Sequence, residues 1–292
     1  CVRLVGSEMC IRDRVMGIGC MTKDDPYYIS AVGALGEGSS NSLSKDTDLA
    51  LAIGTKLADF TTGSWANFEN PNFKLVSVNT ARYDTTKHLA TPVISDAKVG
   101  LQKISEALGD WKAPDDWYKR AIKEKNEWDA YVEKQSGPTN QEEPSYAHAV
   151  GAVYRNSDPS DIVVTAAGGL VGEVVQVWKP KQLNTFETEW GFSCMGYEIS
   201  GALGIKMAKP DQDVVVFVGD GSYLLNNTDI YSSVIYDQKL IIIVCDNGGH
   251  MVINRLQLAK GGKEYICNLR AARATNLKFV DFENHAKSMG AN

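Results

Sequence analysis

Two short loops in the second half of the chain carry the residue types that could do chemistry. Gly219-Asp220-Gly221 follows the apolar run Val214–Val218, and Asp246-Asn247 follows Leu240–Cys245. Twenty-six residues separate Asp220 from Asn247, about what a helix and a returning parallel strand require. In a parallel sheet both side chains then emerge at the same carboxyl edge, where open α/β sheets bind ligands. An Asp carboxylate, an Asn carboxamide and a nearby backbone carbonyl are hard oxygen donors. Such a set suits Mg2+, which shares its remaining positions with phosphate oxygens and water. Gly221 permits close backbone approach, and Ser222 begins a helix whose N–H groups can hold a diphosphate. Gly-Asp-Gly alone reads better as a plain turn. The pair of loops at this spacing, each after a buried strand, favours a site.

The elements that must position these loops follow from pattern. Ser145–Asn156 reads as a helix, and Ile162–Thr165 as a strand running into Ala166-Ala167-Gly168-Gly169. Phe192–Ala208 reads as a helix whose Gly196, Gly201, Ala202 and Gly204 permit close packing, and Tyr223–Tyr236 as another. Phe282–Gly290 starts a helix and then stops, so the C-terminus is expected to be cut. Further upstream, Leu49–Ile53 before Gly54 and Lys74–Asn79 are continuous apolar runs of the kind a parallel sheet covered on both faces requires. Asp96 is placed to cap a helix with Val99, Leu101, Ile104 and Leu108 on its apolar side, closed by Gly109. Strand–helix alternation of this kind predicts an α/β protein of two doubly wound parallel-sheet domains with right-handed crossovers. The charged stretch 116–134 reads as a solvated helical connector, and Gln135–Pro144 as a linker. The expected organisation is therefore a domain over 15–112, a connector over 113–144 and a second domain over 145–292.

Composition bounds the function classes. The 292 residues are 43% hydrophobic and 23% charged, with 30 Lys+Arg against 36 Asp+Glu for a net charge of −6. That is globular composition, and an acidic chain without a basic cluster argues against nucleic acid or an anionic membrane as the partner. No apolar run reaches the ~18 residues of a membrane span. The six cysteines show no C-x-x-C spacing, so reduced thiols in the cytoplasm are expected rather than zinc or disulfides.

The first residues stand apart. Leu4–Arg14 (LVGSEMCIRDR) has no usable apolar period and resembles the in-frame translation of a transposase-type sequencing adapter. Residues 1–14 are therefore expected to be an artefact of the reading frame, replacing native upstream sequence.

The sequence VVVFVGDGSYLLN…IIIVCDN resembles the diphosphate-binding motif of the thiamine-diphosphate enzymes. Gly191–Tyr197 running into Gly201–Gly204 is similar to the aminopyrimidine-contacting segment of acetohydroxyacid-synthase-type members, with Met195 lying 25 residues before Asp220 as in that family. The first region resembles their central, Rossmann-like domain. More narrowly, Asp59–Trp65 (DFTTGSW), Ala166–Glu173 (AAGGLVGE), Glu189–Glu198 (EWGFSCMGYE) and Ile253–Gln257 (INRLQ) resemble the trihydroxycyclohexane-dione acylhydrolases, ring-opening enzymes of myo-inositol catabolism. The likeness covers nearly everything from Val15 onward.

That resemblance implies thiamine diphosphate and Mg2+ as cofactors. It implies Asp220, Asn247 and the carbonyl of Gly249 on the metal, and Gly219, Gly221 and Ser222 on the diphosphate. Gly169 and Leu170 would flank the cofactor and Ser193 contact it, while Met195 would prop its bent form. The implied reaction is hydrolytic cleavage of the bond between the carbonyls of a cyclic 1,2-dione, trihydroxycyclohexane-dione giving 5-deoxy-glucuronate. A polyol ring needs polar partners, for which Glu189, Ser193 and Asn226 are candidates, each with a capping or surface role as the simpler reading. Met195 has core filling as its simpler reading. The loop Gly248-Gly249-His250-Met251 departs from the Phe-Gly pair expected there, and His250 reads more simply as a solvent-facing loop residue. The family's activating glutamate belongs to its pyrimidine-binding first domain. No residue here matches it, so the catalytic residue is unassigned and the chain is expected to be a larger C-terminal part, inactive alone. A homodimer or tetramer is implied. Other readings are acetolactate synthase or another thiamine-diphosphate decarboxylase or carboligase, and a non-catalytic cofactor-binding fragment needing a separate partner chain. A nucleotide-binding protein using the weak glycine signal Gly33–Gly38 is a further one.

Overall fold

The computed structural model describes residues 9–271 and 280–292, and the chain divides into two compact units, 1–135 and 136–292. In the first unit, β1 (Ile11–Asp13) pairs in parallel with β2 (Tyr28–Ala31). After α1 (Gly38–Asp46) come β3 (Leu49–Ile53), α2 (Asp59–Thr62), β4 (Lys74–Asn79), α3 (Arg82–Thr86) and β5 (Thr91–Ile94). The strands β3, β4 and β5 form a parallel sheet in that order, with Pro92 on the edge strand where its missing N–H is harmless. The unit ends with α4 (Ala97–Leu108) and the long α5 (Asp115–Ser136). Asp96 caps α4 as expected, its carboxylate accepting from the N–H groups of Lys98 and Val99.

The charge pattern of α5 suggested a solvated connector, but one face of the helix is apolar. Ala121 is fully buried in a small core with Ile29 and Leu43, and Trp117 and Ile122 pack against it. Charges along the helix are paired with one another, Arg120 with Glu124 at 2.7 Å and Lys125 with Asp129 at 2.7 Å. β1 lies inside the stretch read as adapter. Within it, Arg12 is left with Nε and Nη2 buried and without a hydrogen-bond partner among the described residues, an arrangement that costs stability.

Gly33 shows what the glycine signal of this unit serves. Its φ is +123°, and a Cβ there would fall 2.2 Å from the Phe60 carbonyl oxygen. That same oxygen accepts from the Ala34 N–H at 2.7 Å. The glycine lets two backbone segments touch. Gly33→Ala should therefore destabilise the unit by about 1–3 kcal/mol, read as a lower denaturant midpoint at unchanged slope.

The second unit opens with α6 (Tyr146–Arg155), capped by Ser145 in a reciprocal box with His148. Then follow β6 (Ile162–Thr165), α7 (Leu170–Val177), β7 (Phe186–Thr188), α8 (Tyr197–Ala208) and β8 (Val214–Gly219). They are succeeded by α9 (Asp220–Leu225), α10 (Asp229–Ile235), β9 (Ile241–Cys245), α11 (Met251–Ala259) and α12 (Phe282–Ser288). The sheet is parallel throughout in the order β7-β6-β8-β9. All four residues of β6 are buried, as are Val214–Val218 of β8, because helices cover both faces. Val164, Val214, Val216 and Val218 share their core with Ile199 and Ala202 of α8 and with Tyr223 and Ile230. The α/β class with parallel sheets is as the alternation implied.

Two helices differ from their expected bounds. The segment read as one helix from Phe192 begins only at Tyr197, because residues 189–196 form a loop closed by Glu189. The helix read over Tyr223–Tyr236 is two, α9 and α10, separated where Asn226 turns its amide to the Gly196 carbonyl and the Ser200 hydroxyl.

Candidate functional site

Strand order fixes where a ligand can sit. From β6 the chain moves outward to β7, and from β8 it moves the opposite way to β9, so the crevice between the carboxyl ends of β6 and β8 is the topological switch point. The loop Ala166–Gly169 leaves β6 on one side of it and Asp220–Ser222 leaves β8 on the other. Gly219 pairs in register with Cys245, so Asp220 and Asp246 leave adjacent strand ends side by side.

Asp220 is buried, 4% exposed, and its Oδ2 accepts from the Gly249 N–H at 2.7 Å. Burial pushes its carboxyl up from the usual range and the neighbouring Asp246 adds to this, while the N–H groups of Gly221 and Gly249 oppose it. Asp246 Oδ1 in turn accepts from the Gly248 N–H at 2.8 Å. Gly248 and Gly249 have φ of +76° and +138°, backbone that side-chain-bearing residues resist. The loop is held from behind by the His250 N–H on the Cys267 carbonyl (2.8 Å) and the Leu269 N–H on that of Gly248 (2.9 Å).

Asn247 is oriented by a residue the motif search passed over. Its Nδ2 donates to the Tyr146 hydroxyl, and that hydroxyl donates to the Cys245 carbonyl at 3.3 Å. The amide nitrogen is thereby used, and Oδ1 is the end left for a cation. Tyr146 is pushed up to about 12, first by burial and then by Cys245. Its neutral form is thus favoured by folding. The stability it contributes is fully present below the ordinary tyrosine value near ~10 and is lost as pH rises through about 12. Tyr146→Phe should therefore flatten the alkaline end of the stability profile, followed by thermal melts from pH 9 upward.

Among the described residues no group of three His, Cys, Asp or Glu side chains could hold a metal, and no Lys or Arg pairs with Asp220 or Asp246. What is present is two adjacent carboxyl groups without a countercation, an amide oxygen and backbone carbonyls. That donor set fits a hard divalent ion. Gly249 approaches Asp220 through its N–H.

Around this turn the structure gathers Gly221, Met195 and His250. A Cβ on Gly221 would lie 2.8 Å from His250 Cε1 and 3.3 Å from the Met195 methyl. Met195 is 39% exposed, so it does not serve as core filler. His250 is exposed, as a solvent-facing loop residue would be, and its ring edge lies beside Gly221 of the Asp-Gly turn. Gly169 begins α7 facing Val252 and Arg255 of α11, and the Leu170 side chain is buried, leaving its backbone toward the crevice edge. Arg255, within the INRLQ segment, draws down the Glu173 carboxyl that burial raises.

The polar candidates around residues 189–196 are occupied in shaping that loop. Glu189 accepts from the Phe192 N–H (2.9 Å) through Oε1 and the Cys194 N–H (2.8 Å) through Oε2. Ser193 has φ of +52°. Asn226 Nδ2 donates to the Gly196 carbonyl at 3.1 Å and to Ser200 Oγ at 3.0 Å. The sequence reading also passed over Glu198, which sits 1% exposed among glycine and alanine, and a charge in so apolar a helix was the signal available.

A parallel α/β sheet with oxygen donors gathered at its switch point is the architecture of a ligand-binding α/β domain. Residues 166–292 match the thiamine pyrophosphate enzyme C-terminal TPP binding domain, and residues 8–104 match the thiamine pyrophosphate enzyme central domain. The chain belongs to the thiamine pyrophosphate enzyme family.

Among curated relatives it is similar to the 3D-(3,5/4)-trihydroxycyclohexane-1,2-dione hydrolase of Lacticaseibacillus casei, 32% identical over 297 residues, covering 94% of this chain and 46% of that protein. The proteins of that name from Geobacillus thermodenitrificans and Clostridium tetani are each 33% identical, over 87% and 90% of this chain and 43% and 45% of their own lengths. The chain thus spans about half the length of the curated relatives it matches.

Proposed function

We propose that this chain is the cofactor-holding portion of a thiamine-diphosphate- and Mg2+-dependent hydrolase that cleaves the carbon–carbon bond between the carbonyls of a cyclic 1,2-dione, of the kind its relatives are named for. The observation that carries the reading is the convergence of Asp220, Asp246, Asn247 and the Gly248–Gly249 backbone at the switch point, two carboxyl groups and an amide oxygen with no protein cation among the described residues.

In this proposal Asp220 and Asn247 Oδ1 ligate Mg2+ together with the Gly249 carbonyl. The backbone of Gly219, Gly221 and Ser222 receives the diphosphate. Met195, reaching over Gly221, supports the ring end of the cofactor, with Ser193, Gly169 and Leu170 along its flanks. When bound, thiamine diphosphate supplies the electron sink for breaking a bond next to a carbonyl. The residues of this chain would fix where that chemistry happens by holding the charged end of the cofactor.

A polyol dione as substrate is drawn from the relatives' names, and a place in inositol catabolism with ring-opened 5-deoxy-glucuronate as product follows from the sequence resemblance. Assembly as a homodimer or tetramer is supported by the exposed Tyr231, Val234 and Ile235 of α10 and Tyr236 just after it. A cytoplasmic setting is supported by the thiols of Cys10, Cys194, Cys245 and Cys267, none of them in a disulfide. Among the described residues no helix is long and apolar enough to cross a membrane.

The test is turnover by the protein that carries this chain, supplied with thiamine diphosphate, Mg2+ and either the cyclic dione or pyruvate. Mass spectrometry should detect the ring-opened acid formed by adding the elements of water to the dione. Carbon dioxide release or a condensed product from pyruvate, with the dione untouched, would replace the hydrolase reading by a decarboxylase or carboligase one.

A further inference from the structure

We propose that Glu198 is a positioning residue that holds three segments of the cofactor site in one register. This rests on the cofactor reading above and deepens it. Glu198 lies in the first turn of α8 and is 1% exposed. Its Oε1 accepts from the Ala167 N–H at 3.3 Å, and its Oε2 accepts from the Gly196 N–H at 3.1 Å and from the Ser222 hydroxyl at 2.7 Å. Ser222 Oγ also accepts from the Gly196 N–H at 2.7 Å, closing the network.

Each donor comes from a different segment. Ala167 lies in the loop leaving β6, Gly196 follows Met195 in the turn before α8, and Ser222 completes the Gly-Asp-Gly-Ser turn leaving β8. Gly196 adjoins Glu198 at the start of α8, whereas Ala167 and Ser222 lie 31 and 24 residues away in the chain, so the carboxylate joins a local turn to two distant segments. The backbone at two of them is glycine-built, with Gly168 at φ +80° and Gly196 at +90°, and so has no side chains of its own to fix its direction.

The chemistry of the group makes a packing role a poor account of it. A carboxyl buried without a Lys or Arg partner is expensive unless its oxygens are satisfied, and an apolar side chain would fill the same volume at less cost. A carboxylate is, however, the side chain with two acceptor oxygens, able to take two diverging N–H groups and a hydroxyl together. Glutamine has one acceptor oxygen, and its NH2 would face a donor. Site geometry that shifts by about 1 Å loses much of its binding and rate, so one buried carboxylate fixing three backbone segments sets the cofactor's seat without touching it.

The test compares the wild-type chain with Glu198→Gln, Glu198→Ala and Ser222→Ala in two readouts. The first, with no ligand present, is amide hydrogen exchange. Both Glu198 variants should lose protection at Ala167 and Gly196 together, whereas Ser222→Ala should affect Gly196 and leave Ala167 protected. The second is thiamine diphosphate binding with Mg2+ by calorimetry, where Glu198→Gln should weaken affinity at least about tenfold, the scale of lost hydrogen bonds to a charged group. Unchanged affinity in Glu198→Gln, or unchanged protection at Ala167 and Gly196, overturns the proposal. If the wild-type chain itself does not bind the cofactor, the cofactor reading fails, and the exchange pattern still decides whether the carboxylate holds the three segments. Should Glu198→Ala fail to fold, Glu198→Gln and Ser222→Ala carry both readouts.

Discussion

Asp220→Asn should abolish Mg2+-dependent binding of thiamine diphosphate while leaving the unfolding temperature of the unliganded chain unchanged or higher. Asparagine keeps an oxygen to accept the Gly249 N–H, now made at 2.7 Å by the carboxylate, so the loop after β9 has no reason to move. What is lost is the negative charge on the cation, and affinity should fall by about a hundredfold or more, beyond the 10–100-fold typical of losing an outer-shell partner. The stability sign follows from the raised carboxyl. Burial, with Asp246 beside it, disfavours the ionised form in the folded chain. Ionised Asp220 therefore costs stability at neutral pH, and the stability gained by protonating it is lost as pH rises through its raised range. Removing the charge should relieve that penalty, and the difference between variant and wild type should shrink on acidification. Calorimetric scans with and without Mg2+ check both halves. A variant that melts early without ligand would mean that Asp220 serves the fold, and one that binds normally would remove it from the metal.

The second large effect is expected from Gly249→Ala. Gly249 has φ +138°, and a Cβ there would sit 2.3 Å from the carbonyl oxygen of Cys267, a backbone atom that cannot swing aside. The residue also donates to Asp220 and forms the antiparallel bridge to Asn268. Strain of this kind is worth about 1–3 kcal/mol. It should be relieved by moving the 248–250 loop, since the neighbouring strand β8 is buried and held between β6 and β9. Cofactor affinity should fall by about tenfold to a hundredfold through displacement of Asn247 and His250, with the second unit still folding cooperatively. Gly248→Ala, at φ +76°, should do less, because αL backbone is tolerated by alanine at smaller cost. Cofactor titrations of the pair rank them, and equal, unimpaired binding by both would show that loop geometry does not set the site.

Much of this site was legible because its determinants are local. Val214–Val218 and Ile241–Cys245 are uninterrupted apolar strands ending in Gly-Asp-Gly and Asp-Asn, and residue spacing alone put both at one sheet edge. Asp96 and Ser145 announced helix starts by residue type. What escaped was set by contacts far apart in sequence. Within the loop over 189–196, the stretch from Phe192 onward reads as helix by its small and apolar residues. Its course depends on a carboxylate at Glu189 and on Gly196, whose N–H is taken by Ser222, 26 residues on. The break at Asn226 exists because its amide finds Gly196 and Ser200 across the site. Tyr146 shows the same limit. Its hydroxyl meets Asn247 101 residues away, and its position in an ordinary amphipathic helix gives no hint of that. In the first unit, the charges of α5 outnumber its buried residues, so composition concealed the apolar face carrying Ala121.

The most direct measurement is a calorimetric titration of this chain with thiamine diphosphate in Mg2+, repeated after chelation and with thiamine lacking the diphosphate. One site per chain, lost on chelation, absent for thiamine and competed by inorganic pyrophosphate with Mg2+, is the result expected if Asp220, Asn247 and the turn at Gly221 hold the charged end of the cofactor. Binding that survives chelation, or that thiamine matches without its diphosphate, would contradict it.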